Sequence, residues 1–326
     1  MKKISLVLLV ALVGINPIPS QSQTLNVVHA FTAATYSEET FTNLDGAHPY
    51  GSLVYFGSRL YGTTQVGGLG MGTLFAVNTD GSDYTVLHAF AGGWDGSAPA
   101  AGLVVSGNTL YGTTPAGAGT VYSINTDGSA YQVLHAFDTN LWGGGPYAAL
   151  AVSGDVLYGT TEDTLFSLDT GGSNFTTLHS FASTAYDPAL KLNTNWEGSM
   201  CTASLAVSGN VLYGTANQGG TNGCGTIFAV DVDGSNYTVL HTFVGSADGA
   251  NPWAGLLLAG GMLYGTTYNG GTNGGGTLFS VNIDGSSYTV LRHFGASHDG
   301  MNPRENLILS GGTLYGTTAA GGLNGA

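Results

Sequence analysis

The stretch Leu60-Tyr61-Gly62-Thr63-Thr64 decides the fold, because its Leu-Tyr-Gly-Thr core recurs along the whole chain. The same four residues begin again at Leu110, Leu157, Leu212, Leu263 and Leu314, at intervals of 47 to 55 residues. Self-similarity at such a period is typical of repeat architectures in which each repeat is one structural unit. The sequence therefore predicts a tandem-repeat protein.

Each repeat contains four short segments that are typical of β-strands and are separated by turn residues. In the second repeat we expect strand A around Leu103–Val105, strand B at Leu110–Thr114, strand C at Thr120–Ile124 and strand D at Tyr131–Phe137. Tight Asp-Gly turns separate strands C and D. Both faces of strand D carry apolar or small side chains, which predicts sheets stacked on neighbouring sheets.

Four antiparallel strands in about 50 residues match the size of a propeller blade. The expected fold class is all-β: a β-propeller of about six four-stranded blades, the last incomplete and closed by an N-terminal strand. That strand is Thr24–Phe31, which ends in the His-Ala-Phe of strand D. The chain stops before another strand C, so either the last blade is short or the chain is truncated, and truncation is favoured. A β-solenoid is the alternative fold, although its coils are usually shorter.

Composition indicates an ordered, exported chain. It contains 54 glycines and 17 tyrosines, and only 8% of its residues are charged. Lys2 and Lys3 precede the apolar run Ile4–Ile15, which predicts a signal peptide at residues 1–22 and a single propeller domain at 23–326. A membrane anchor is the alternative for this run, which is short for a membrane span. The expected location is secreted or at the cell surface, not integral to the membrane.

Charge excludes nucleic acid as a partner. After removal of the signal peptide, four basic residues oppose all twenty acidic ones, and the net charge is near −16. Such a chain repels phosphate backbones and anionic lipid. The four basic residues are Arg59, Lys191, Arg292 and Arg304.

The repeated pattern resembles the GloVer tandem repeat. The residues that carry this resemblance are Leu-Tyr-Gly-Thr-Thr, Gly-Thr-Leu-Phe, Asp-Gly-Ser and Tyr-Thr-Val-Leu-His-Ala-Phe, and they recur over nearly all of the mature chain. The resemblance implies an exported bacterial repeat protein of a group that ends in one of several surface anchors. It implies no reaction and no cofactor, and the chain shows no such anchor at its end.

Histidine recurs at one position of strand D, and Arg292 takes the place of the sixth such histidine, in the fifth repeat. The members are His29, His88, His135, His179 and His241. Residues that occur once per blade are spread apart, whereas a metal site needs its ligands gathered together. We therefore expect packed, hydrogen-bonded histidines and no metal. Asp231 and Asp233 resemble part of a calcium loop, but the distal glutamate of that loop is missing.

The loops from strand D to strand A are the candidate binding site. Three of the four tryptophans occupy one position in these loops, and two of the loops are long: 22 residues from Phe31 to Leu53 and 24 from Phe181 to Leu205. Insertions in repeat proteins tend to lie on the binding face. The candidate ligand-binding residues are Trp94, Asp95, Trp142, Trp196, Glu197, Asp248 and Asp299. Alternatively, the tryptophans pack the blades.

A surface binding or adhesion module for glycans is therefore the preferred function, with indoles stacking on sugars and carboxylates accepting hydroxyl hydrogen bonds. One alternative is a propeller hydrolase or lyase acting on a polysaccharide, and the other is a structural envelope protein. No catalytic residue stands apart from the repeat, so an enzyme is the less favoured reading. Its candidate acids would be Glu38, Glu39, Glu162, Asp163, Glu197 and Glu305.

Cys201 and Cys224 are the only cysteines and lie in the same repeat, at positions where other repeats have no cysteine. Export favours oxidation. We therefore predict a disulfide between them, and two free thiols are the alternative, because a bond requires close Cα atoms.

Overall fold

The computed structural model describes residues 27–33, 35–37, 40–137 and 144–322. Within these ranges the chain consists of short strands and one 3-10 turn, Gly93–Asp95. No helix in these ranges is long and apolar enough to cross a bilayer. The predicted all-β fold class is confirmed, and the predicted signal peptide lies outside the described residues.

The first strands form an inserted hairpin. Strand β1 (Thr35–Ser37) pairs with β2 (Thr40–Ala47), and β2 also pairs with β5 (Val66–Gly68). A second inserted hairpin lies further along the chain and consists of β16 (Ala185–Asp187) and β17 (Leu192–Thr194).

Five four-stranded sheets carry strands A to D in that order. Sheet 1 contains β3 (Val54–Phe56), β4 (Arg59–Thr64), β6 (Thr73–Asn78) and β7 (Thr85–Ala89). Sheet 2 contains β8 (Val104–Ser106), β9 (Thr109–Thr114), β10 (Thr120–Asn125) and β11 (Gln132–Ala136). Sheet 3 contains β12 (Ala151–Ser153), β13 (Val156–Thr160), β14 (Thr164–Asp169) and β15 (Thr176–Ser180). Sheet 4 contains β18 (Ala206–Ser208), β19 (Val211–Ala216), β20 (Thr226–Asp231) and β21 (Thr238–Thr242).

Sheet 5 contains β22 (Leu257–Ala259), β23 (Met262–Thr267), β24 (Thr277–Asn282) and β25 (Thr289–His293). Two pairs follow: β26 (Gly300–Met301) with β29 (Ala320–Gly321), and β27 (Ile308–Ser310) with β28 (Thr313–Tyr315). The four strands of sheet 2 match the predicted strands A to D to within a few residues, so the repeat assignment is confirmed.

The structure corrects the prediction of an N-terminal strand. Residues 27–33 form no strand, so the strand predicted at Thr24–Phe31 is wrong over Val27–Phe31, and residues 24–26 lie outside the described part. Strand D elsewhere is hydrogen-bonded to a strand C, and no strand in the described ranges pairs with this segment. Its side chains nevertheless take strand D positions, since Phe31 packs edge-on against Phe75.

The chain divides into two compact units. The first includes Gln21–Glu162 and Ser167–Thr176, and the second includes Asp163–Phe166 and Thr177–Ala326. In the first unit, strand A of sheet 2 contacts strand A of sheets 1 and 3; in the second unit, strand A of sheet 4 contacts that of sheet 5. The single domain predicted for residues 23–326 stays a prediction.

Apolar cores lie between successive sheets. In the first unit, Leu74 of sheet 1 packs with Phe90, Leu110 and Tyr122, all fully buried. In the second unit, Ile227 of sheet 4 packs in the same way with Phe279 of sheet 5. Strand C is buried on both faces, which confirms the prediction of stacked sheets.

The Asp-Gly turn fits against the preceding sheet. Gly128 has φ +88°, and a Cβ there would meet Leu87 of sheet 1. The carboxylate of Asp127 accepts hydrogen bonds from the hydroxyl and amide of Ser129, and these bonds lower the pKa of Asp127. The turn thus needs glycine for its positive φ, as predicted, and aspartate to brace the turn.

Candidate functional site

A histidine, a carboxylate and an aromatic ring form a recurring contact between successive sheets, which we name the histidine link. His88 of sheet 1 lies 3.1 Å from the carboxylate of Asp95 in the following loop. The His88 ring stacks on Tyr131 of sheet 2, with 3.7 Å between centroids. The Tyr131 hydroxyl donates to the backbone carbonyl of Asp95, 3.1 Å away. One loop residue therefore binds both sheets.

The same link recurs along the chain with different loop lengths. Its other members are His29–Asp45–Tyr84, His179–Glu197–Tyr237 and His241–Asp248–Tyr288. In the fifth repeat, Arg292 replaces histidine and pairs with Asp299 at 2.9 Å. His135 stacks on Phe175, and burial lowers its pKa. The predicted packing is confirmed for all five histidines, and the predicted hydrogen bonds are confirmed for His29, His88, His179 and His241.

The carboxylates of the links also accept backbone N–H groups. Asp95 accepts from Ala91 at 2.7 Å, and Asp248 accepts from Val244 at 2.9 Å. Glu197 is 2% exposed and accepts from the backbone of Ala182 as well as from His179. Each of these three carboxylates therefore already has two hydrogen-bond partners within the chain.

The tryptophans differ from the carboxylates because they reach into solvent. Trp94 in the first unit is 72% exposed, and Trp196 in the second is 58% exposed. Trp196 touches Tyr237 only edge-on. The alternative of blade packing does not fit such exposure. Trp142 lies outside the described residues.

Both long loops contain a hairpin, and an asparagine side chain anchors each hairpin at its base. In the second unit, the side-chain amide of Asn195 donates to the backbone of Ala182 and Gly198 and accepts from the amides of Gly198 and Gly220. Asn43 makes the corresponding bonds to Thr32 and Gly46 in the first unit. These bonds fix the base of each hairpin.

A surface cavity of about 300 Å³ opens beside the second hairpin. It is lined by Tyr186, Lys191, Leu192, Asn193, Gln218, Gly223 and Asn251. The hairpin forms one wall, and the B–C loop of sheet 4 contributes Gln218 and Gly223. Sequence reasoning named none of these residues as ligands, although the length of the loop from Phe181 to Leu205 was the signal that located them.

The family is decided by the repeat pattern. The family model described as the Gloeobacter/Verrucomicrobia repeat matches residues 19–201 and 200–326. The chain belongs to this family. This match confirms, over nearly the whole chain, the resemblance seen in the sequence. A comparison with curated proteins finds no match.

Solved structures share the fold of this repeat chain. Two crystal structures of the extracellular domain of a B. thetaiotaomicron protein, described as a one-component and as a hybrid two-component system, match with TM-scores of 0.53 and 0.55 at 14% identity. Each match covers 82% of this chain and 31% of the other. The repeat chain thus spans about a third of that extracellular domain. A chain of a nidogen/laminin complex matches at 16% identity over 71% of this chain and 74% of the other, but its TM-score of 0.47 supports no argument.

The two cysteines of the repeat chain have different neighbours. Cys201 is fully buried, and burial, with the charges of Asp163 and Glu197, raises the pKa of its thiol. Cys224 is half-buried, and its Sγ lies 3.4 Å from the carbonyl oxygen of Asn222. The predicted disulfide is not formed in the structure, where both residues are free thiols.

Intact mass decides the state of these cysteines. If the disulfide predicted from the sequence forms, reduction adds two hydrogens to the mass of the protein. Unchanged mass, together with alkylation of both thiols under denaturing conditions without reductant, would establish free cysteines. The double variant Cys201→Ser/Cys224→Ser is the control for the alkylation.

Proposed function

We propose that this chain is an exported binding module that holds a glycan or another surface polymer on its D–A loops. The observation that carries the proposal is the cavity between the β16–β17 hairpin and the B–C loop of sheet 4. Its volume reaches the lower end of the range typical of small-ligand sites. The predicted propeller of about six blades belongs to the same proposal, supported by the consecutive four-stranded sheets.

The lining has the chemistry of a sugar site. Tyr186 is 63% exposed and Leu192 is 41% exposed, so ring and aliphatic surface is available for contact with a sugar face. Asn193 and Gln218 add amides that both donate and accept hydrogen bonds. Trp196, in the same loop, adds an exposed indole. Apolar surface with a few amides suits a polyhydroxylated ligand.

Two further observations concern export and the enzyme alternative. The structural match to an extracellular domain supports a fold used outside the cell. Glu197, a candidate acid of the enzyme alternative, is buried against His179, so its carboxylate is not open to a substrate. Glu38 and Glu39 lie outside the described residues.

Removal of the exposed rings tests the proposal. Tyr186→Ala and Trp196→Ala should each weaken retention on immobilised xylan, galactan or polygalacturonate by about tenfold or more, because aromatic anchors in such sites commonly contribute ~2 kcal/mol. The melting temperature should change little, since both rings are exposed. Trp94→Ala applies the same test to the first unit.

Tyr55→Ala is the matched control, because Tyr55 is 62% exposed but lies on β3 in the other unit. It should leave retention unchanged. Unfolding of the Tyr186 or Trp196 variants would show that the rings pack the fold, and undiminished retention by both would reject the site.

A further inference from the structure

The four cations of the mature chain fall into two classes. Arg59 donates to the backbone carbonyl of Asp83 at 2.8 Å, and Arg292 pairs with Asp299. Lys191 and Arg304 form no ion pair in the described ranges. Both are exposed, and both belong to D–A loops of the second unit. Two of the four cations, Lys191 and Arg304, are therefore open to solvent in the D–A loops of the second unit.

Lys191 is held where it faces the cavity. It has φ +58° at the tip of the β16–β17 hairpin, and its amide donates to the backbone carbonyl of Asp187 at 2.8 Å. The carboxylate of Asp187 is bound by the amides of Ala189 and Leu190. The Asp187 carboxylate is therefore bound within the turn, while Lys191 lines the cavity.

Arg304 is held by aromatic rings. Its guanidinium carbon lies 5.2 Å from the ring centroid of Trp253 and 5.9 Å from that of Tyr268. Stacking on a ring leaves the N–H edges of a guanidinium free for a bidentate acid group. Desolvation raises the pKa of the adjacent Glu305, and the smaller effect of the Arg304 charge lowers it.

A row of asparagines connects the two positions. Asn251 lines the cavity, and its side-chain oxygen accepts from Asn269 at 3.1 Å. Asn302, two residues before Arg304, donates to the backbone carbonyl of Tyr268 at 2.9 Å. Asn302 also lies 3.5 Å from the side-chain oxygen of Asn269, so amide side chains lead from the cavity toward Arg304, and amides suit the hydroxyls of a sugar chain.

We propose that the polymer bound on these loops is an acidic glycan, whose carboxylate or sulfate groups bind Lys191 and Arg304. The proposal rests on the proposed function and specifies its ligand class. The chain as a whole has a net charge of −14 and repels polyanions. At physiological ionic strength this repulsion is screened beyond about 8 Å, so cations on the binding loops add attraction at short range.

Matched pairs of polymers test this inference. Binding of the full chain is measured to polygalacturonate and its methyl-esterified form, and to dextran sulfate and dextran, so that carboxylate and sulfate are distinguished. The wild type should prefer the acidic member of at least one pair by about tenfold or more, as expected for desolvated charged contacts. Lys191→Gln and Arg304→Gln should each reduce that preference severalfold.

Arg59→Gln is the control, because it removes the same charge from a guanidinium bound within sheet 1. It should keep the full preference. Equal binding of both members of each pair would overturn the acidic ligand while leaving the proposed function in place. An acid preference that survives in both glutamine variants would reject these residues, and no binding to any polymer would reject both proposals.

Discussion

Glu197→Ala is expected to lower the free energy of unfolding by about 3 kcal/mol or more. The Glu197 carboxylate is buried and accepts from the ring of His179 and the backbone of Ala182. Its loss removes the charged acceptor of both donors, and each hydrogen bond to a charged group contributes about 1.5–3 kcal/mol. The cavity left by the side chain adds to this loss.

Urea denaturation of the single variants measures this effect. Asp155→Ala is the control, since Asp155 is exposed in the turn between strands A and B of sheet 3 and its loss should cost less than about 0.5 kcal/mol. Glu197→Gln keeps one acceptor oxygen and should fall between the two. Equal midpoints for Glu197→Ala and the control would refute the structural role of the link.

Gly249→Ala is expected to have a still larger effect. Gly249 follows the carboxylate of its link and has φ +107°, which strains any other residue by about 1–2 kcal/mol. A Cβ there would lie 2.1 Å from Oγ1 of Thr267 and 2.6 Å from Oγ1 of Thr277. Those hydroxyls are hydrogen-bonded to each other in a buried site, so relief requires breaking that bond. Strain and overpacking together predict a loss of about 3–5 kcal/mol.

Gly260→Ala separates the two contributions. Gly260 has φ +60°, but a Cβ there would meet nothing within 4 Å, so only backbone strain of about 1 kcal/mol remains. Thermal unfolding should place the Gly249 variant well below the Gly260 variant. Similar melting temperatures would mean that the threonine pair moves aside freely and contributes little.

The strands were predictable because each depends on local pattern. Short segments bounded by Gly, Asn and Asp turn residues placed the strands of sheet 2 within a few residues of Val104–Ser106, Thr109–Thr114, Thr120–Asn125 and Gln132–Ala136. The packing role of the histidines was also predictable from their recurrence. Val27–Phe31 has the same local pattern but forms no strand, because a strand also needs a hydrogen-bonding partner that local sequence does not supply.

The partners of the histidines were harder to predict because they come from other parts of the chain. Asp95 follows His88 by seven residues, whereas Glu197 follows His179 by eighteen, so spacing does not identify the link. The sequence shows an acidic residue before a glycine in these loops, but it does not show that the carboxylate is hydrogen-bonded to a histidine. Lys191 and Tyr186 reach the cavity because the long loop folds as a hairpin, and loop length alone does not predict strand pairing.

The histidine link has a consequence for cooperativity. Its histidine comes from one repeat and its stacking ring from the next, so the free energy of the link is a nearest-neighbour coupling. A single repeat therefore lacks the contacts that hold it folded, and we expect adjacent repeats to unfold together. Recombination between equivalent points of two repeats would restore the link at the new junction. Duplication and loss of repeats can thus change the length of such a chain without creating an unmatched interface.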